Sequence, residues 1–202
     1  MKSKFFAALA TFTFSSLALA TEARLNIVST NGSGCPVQEG KTIPYGFDGQ
    51  WLTVELNQAY PIKVVKGTGI SLEESRKNCA IVVDVDAPGY RYAVERVVSW
   101  GSYQLAPNDQ FVASFDGNFQ AEAKTFSSDS EVLGPVWNQQ NYNFDRTLGG
   151  SNLVWSDCNE SRTLTLNTAV RVSPKGNSGR YASQSKGSLD RVAFRLIYQK
   201  CY

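Results

Sequence analysis

From residue 21 onward, β-branched and aromatic residues gather in short runs that alternate with polar ones, and this period of two restricts the chain to half-buried β-strands. The runs fall at 51–56, 80–85, 90–100, 111–115, 164–172 and 192–198. In Trp51-Leu52-Thr53-Val54-Glu55-Leu56 the alternation turns Leu52, Val54 and Leu56 toward a core. It buries Val83, Val85, Leu164, Leu166 and Leu196 in the same way. Turn signals punctuate these runs at Asn31-Gly32, Asp48-Gly49, Pro88-Gly89, Pro107-Asn108, Asp116-Gly117, Gly149-Gly150 and Pro174-Lys175-Gly176. Many short strands so spaced predict an all-β fold, an antiparallel β-sandwich of jelly-roll type with long loops. At most one short helix is expected, at 71–78, with Ser71 as its N-cap and Glu74 three residues on. The polar, Gly/Ser-rich stretches 127–130 and 173–188 read as loops, and no internal repeat is present.

The first twenty residues stand apart from this pattern. Lys2 and Lys4, the apolar and small residues from Phe5 to Leu19, and the Ala18-Leu19-Ala20 exit predict a secretory signal peptide at 1–20. Residues 21–202 are then a single secreted domain, extracellular or periplasmic. Its 182 residues, the 202 of the chain less the first 20, can bury a core of their own. The chain's 20 basic residues fall to 18 once Lys2 and Lys4 leave, matching its 18 acidic ones. Such balance gives no general attraction to nucleic acid or anionic membrane, so no nucleic-acid partner is expected. No apolar run after residue 20 is long enough to span a bilayer. The chain has no histidine, which excludes Ser-His-Asp and Cys-His nucleophile systems, His-ligated zinc and imidazole acid–base chemistry. No cofactor is implied.

Cys35, Cys79, Cys158 and Cys201 allow three pairings, and sequence alone does not choose between them. Cys35–Cys79 with Cys158–Cys201 is favoured, because each bridge then ties a loop or terminus to a strand within its own half. By chain entropy each would contribute roughly 4 kcal/mol. A four-thiolate metal site is the alternative, but no Cys-x-x-Cys pair exists.

The surroundings of the cysteines carry a resemblance. Gly32-Ser33-Gly34-Cys35-Pro36, Asp48-Gly49-Gln50-Trp51-Leu52-Thr53-Val54, Ser75-Arg76-Lys77-Asn78-Cys79 and Pro88-Gly89-Tyr90 follow one another in order. Leu133-Gly134-Pro135, Trp155-Ser156-Asp157-Cys158 and Tyr198-Gln199-Lys200-Cys201 complete the series. This succession resembles the small secreted fungal and bacterial proteins grouped as domain of unknown function 4360, from about residue 31 to the end. Asn159 departs from it, standing where glycine is expected after Cys158. The resemblance implies an exported fold and brings no catalytic residues with it.

Chemistry is sought at four places. Asp84 and Asp86 share one face of a strand and are candidate ligands for a calcium ion, but no Asp-x-Asp-x-Asp-Gly loop is present and a solvated strand end accounts for them better. The segment 137–145 interleaves aromatic faces with primary amides, and Trp137, Asn138, Gln140 and Tyr142 are the candidate ligand-binding residues of an exposed loop. Alternatively, Trp137 and Phe144 plug the core while the asparagines make turns. Glu55 and Glu95 are the candidate carboxylates of a glycosidase, with alternation assigning both to the solvent side. The basic residues Arg76, Lys77, Lys175, Arg180, Lys186 and Arg191 are available for a positive rim, and Asn31 and Asn159 head N-glycosylation motifs. These features point to a non-enzymatic extracellular module that binds glycan or cell-wall polymer. A carboxylate-dependent polysaccharide hydrolase and a structural envelope protein are the alternatives.

Overall fold

The computed structural model describes residues 23–35, 43–56, 62–119, 125–149, 153–158, 163–175 and 184–202, so the expected signal peptide, Asn159 and Arg180 lie outside it. Nearly all regular structure among the described residues is strand: β1 (Arg24–Asn31), β2 (Tyr45–Phe47), β3 (Trp51–Glu55), β4 (Ile62–Lys66), β5 (Arg76–Asp86), β6 (Tyr90–Leu105), β7 (Asp109–Phe119), β8 (Thr125–Leu133), β9 (Val136–Thr147), β10 (Thr163–Pro174) and β11 (Ser185–Lys200). They form two antiparallel sheets, the all-β sandwich that the alternation requires. Sheet A runs β1-β5-β10-β7-β8 and sheet B runs β2-β3-β11-β6-β9, with β4 also paired to β11. β4 and β3 follow each other along one edge of β11, opposite 185–189 and 191–195 respectively.

The core lies between the sheets. All eight side chains assigned inward by alternation are buried, none more than 2 % exposed. β7 adds Phe111, Phe115 and Phe119, which lie four residues apart on its inward face and are among the largest fully buried side chains. At roughly 25 cal/mol per Å² of apolar surface removed from water, each such ring stabilises by a few kcal/mol. The disulfides are Cys35–Cys79 and Cys158–Cys201, the favoured pairing, and Cys35 and Cys79 are fully buried.

Several expected loops are strands. Asp116-Gly117 continues β7, because a side chain at Gly117 would meet the Phe126 ring at 2.4 Å, so glycine leaves the space that Phe126 fills. Residues 127–130 belong to β8, whose inward positions carry Phe126 and Ser130, both buried. The stretch 173–188 holds the end of β10 and the start of β11, with 176–183 outside the described residues. At 71–78 the expected helix is a single turn. Ser71 Oγ does accept from Glu74 N at 3.3 Å, but Ser75 N bonds back to Leu72 O, and Arg76 opens β5.

Candidate functional site

The segment 137–145 is not a loop but part of β9, the edge strand of sheet B. Its even positions Tyr142 and Phe144 turn toward the core, while Asn141, Asn143 and Asp145 face solvent. Tyr142 is only 6 % exposed, stacks on Phe144 at 4.3 Å and lies 5.3 Å from Phe111. Its hydroxyl donates to Ser188 O at 2.8 Å, and desolvation pushes the phenol well above its ordinary value. Glycine at 101 leaves that hydrogen bond clear, since a Cβ there would sit 2.1 Å from Ser188 O and 2.7 Å from the Tyr142 hydroxyl oxygen. Tyr142 therefore braces the strand from behind and is not a surface contact.

Trp137 has the opposite placement. The pairing of β6 with β9 passes from Tyr103↔Gln140 to Leu105↔Val136, so Trp137, Asn138 and Gln139 stand opposite Gln104 alone. A bulge of this kind re-aims side chains, and Trp137 is 62 % exposed. Gln104 Nε2 donates to Trp137 O at 2.8 Å and holds the bulge in place. Beside the indole lies a cleft of about 220 Å³ lined by Gln104, Val136, Gln184 and Lys186. Asn138 and Gln140 are exposed as well.

Cross-strand register extends this surface over the whole solvent side of sheet B. One row reads Glu55, Arg191, Trp100, Asn143 across β3, β11, β6 and β9; the next reads Thr53, Ala193, Val98, Asp145; a third reads Trp51, Arg195, Arg96, Thr147. Arg191 lies over the Trp100 ring at 4.2 Å and 3.7 Å from Glu55. Arg195 Nη1 pairs with Glu95 at 3.0 Å. Arg96 grips Asp145 with both ends of its fork, Nε to Oδ1 at 2.6 Å and Nη2 to Oδ2, which keeps that carboxyl below its usual range. Gln139 Nε2 reaches Ser102 Oγ at 3.0 Å. Trp51 and Trp100 were missed as surface residues, yet the signal was present: if Leu52 and Val54 point inward, Trp51, Thr53 and Glu55 point out.

Glu55 and Glu95 both lie on this solvent side, as alternation assigns them, and each faces an arginine. They do not form a pair. Two strands and about five residues separate them in register, which places them roughly 15 Å apart or more, against the roughly 5 to 9 Å that a glycosidase needs. Asp84 and Asp86 share the solvent face of β5, where Asp86 stands opposite Arg24. Among the described residues no three metal-ligating side chains come together. The basic residues do not converge on one rim: Lys175 pairs with Glu131 at 3.2 Å, Lys186 lines the Trp137 cleft, Arg191 covers Trp100, and Arg76 and Lys77 lie on sheet A. Asn31 is exposed at the end of β1.

The family model described as "Domain of unknown function (DUF4360)" matches residues 21–201. The chain belongs to this family. An "uncharacterized secreted protein" of Arthroderma benhamiae is 22 % identical over 154 residues, 76 % of this chain. The chain spans 60 % of that relative's length. Two disulfides, which persist only where thiols are not kept reduced, and a secreted relative place this DUF4360 protein outside the cytosol. No described helix is long and apolar enough to cross a membrane.

Proposed function

We propose that this DUF4360 protein is a non-enzymatic extracellular binding module for glycan or cell-wall material, working through β9 and the rows beside it. Residues 1–20 are its secretory signal and residues 21–202 one domain. The observation that carries the reading is Trp137: a large indole held out of the core by a bulge, at the mouth of a cleft, beside a strand that presents the amides of Asn141 and Asn143 to solvent. Sugars present flat C–H faces that stack on such a ring and hydroxyls that primary amides both donate to and accept from. The arginines and carboxylates of the rows beside it are already paired with one another, which leaves those rows polar without a net demand for charge and suits a neutral saccharide.

The test is retention of the secreted protein on insoluble neutral glycans and isolated cell walls. Trp137→Ala should reduce retention about tenfold or more, as loss of an exposed tryptophan anchor does, with the melting temperature within a degree or two of wild type. Unchanged retention on every matrix that holds the wild type would remove Trp137 and the reading built on it.

A further inference from the structure

The solvent side of sheet A carries a feature that this reading does not use. Arg76 on β5 and Arg171 on β10 stand directly opposite each other, both exposed. Like charges in that position destabilise a strand pair. Among the described residues neither guanidinium has an ion-pair partner. Lys77 adds a third cation, 3.6 Å from Glu74. All three line one cleft of about 560 Å³, whose lining includes a single acid among the described residues, Glu73. That volume falls in the range of small-molecule sites.

The walls of this cleft are tied down. The turn before Arg76 is held by Val65 N donating to Glu74 O at 2.8 Å and Val172 N donating to Ser75 O at 2.9 Å. On the other side, the Cys35–Cys79 bridge and the bond from Gly34 N to Asn78 O at 2.7 Å press the 32–35 turn onto β5. There Ser33 Oγ accepts from Asn78 N and donates to Asn78 Oδ1, each at 3.2 Å. Ser33 and Asn78, held to each other before any ligand arrives, and Ser114 beside them thus offer polar groups around the arginines.

We propose that this cleft binds an oxyanion-bearing saccharide. The forks of Arg76 and Arg171 take its carboxylate or phosphate through charge-assisted hydrogen bonds, and Ser33, Asn78 and Ser114 bond its hydroxyls. That the ligand is a saccharide rests on the function proposed above; that it is an anion does not.

Calorimetric titration of the disulfide-bonded protein tests this with four probes: tetragalacturonate, its neutral methyl ester, galactose 6-phosphate and inorganic phosphate. The expected result is binding of the acidic oligomer or the sugar phosphate, whichever is tighter naming the oxyanion, with affinity falling as salt rises and no binding of the ester. Arg76→Gln and Arg171→Gln should each weaken it about tenfold without lowering the melting temperature. Inorganic phosphate binding as tightly as either saccharide overturns the saccharide assignment. Equal binding of the ester, or of none of the four, overturns the site. Trp137→Ala should leave these affinities unchanged, and a loss with that variant instead of the arginine variants places the site elsewhere. Retention of Trp137→Ala on neutral matrices bears on the proposed function alone, so the two failures are distinguishable.

Discussion

The two solvent faces of the sandwich handle charge in opposite ways. On sheet B every arginine of the central rows has an acidic neighbour: Arg191 with Glu55, Arg195 with Glu95, Arg96 with Asp145. On sheet A, Arg76 and Arg171 face each other with no ion-pair partner among the described residues, although Glu73 lines the same cleft. A surface whose charges are mutually satisfied gains little from an ionic ligand, because binding would have to break existing pairs. A surface that holds two like charges in register gains twice, by neutralising them and by relieving their repulsion. The sandwich thus separates a face suited to stacking from one suited to anions.

The largest expected effect tests what supports the sheet B face from behind. Tyr142→Ala should cost about 3–5 kcal/mol, read as a fall in the urea midpoint, because it empties a buried aromatic cluster and strands Ser188 O. Trp137→Ala, five residues away on the same strand, should cost well under 1 kcal/mol. Equal losses would mean that both residues serve the core and that sheet B has no exposed recognition strand.

Next in size is the bridge beside the sheet A cleft. Replacing Cys35 and Cys79 together by serine should cost roughly 4 kcal/mol or somewhat less, since the loop between them spans 44 residues. It should also weaken acidic-saccharide binding at sheet A while leaving Trp137-dependent retention at sheet B intact. Loss of both together under conditions where the variant is folded would show that the faces are not independent.

How these regions relate to the sequence differs in an instructive way. Trp51–Glu55 alternates between strong β-formers, so its strand and its inward face were both legible. β9 alternates as strictly in Asn141-Tyr142-Asn143-Phe144-Asp145, but its solvent positions are Asn and Asp, which have low strand propensity and suggest turns. The period was the better guide there, and composition concealed it. β8 was hidden in the same manner by serines on both of its faces. The sheet A cleft was illegible for another reason. Arg76 and Arg171 are 95 residues apart, and only the register of β5 against β10 makes them opposite. Arg76 stands out locally only as half of the basic run Arg76-Lys77, and nothing local marks Arg171 or joins it to Arg76.

A smaller effect carries opposite signs on the two faces. Arg191→Gln removes the cation above Trp100 and the partner of Glu55, and should destabilise by about 0.5–1 kcal/mol. Arg76→Gln removes one of two opposed cations and should stabilise by a few tenths of a kcal/mol at low salt. Raising the salt should shrink both differences. Destabilisation by Arg76→Gln would reveal a partner for that guanidinium and end the contrast.

The smallest effect is a pH dependence that the Arg96–Asp145 pair of sheet B should show and the opposed arginines of sheet A should not. Arg96 holds the Asp145 carboxyl below its ordinary 3.8, first through their hydrogen bonds. A carboxyl whose folded value is depressed contributes stability that is fully present above its unfolded value and disappears as pH falls through the folded one. The gap in melting temperature between wild type and Asp145→Asn should therefore stay constant from neutrality down to about pH 5 and close below about pH 4. It will be small, because the two side chains are 39 % and 40 % exposed and water screens them. On sheet A no carboxylate among the described residues pairs with Arg76 or Arg171, so the gap between wild type and Arg171→Gln should remain flat over the same range. A gap that closed there as well would mean that an acidic side chain already occupies the arginine pair. The cleft would then be self-satisfied like the opposite face, with no reason to seek an anion from outside.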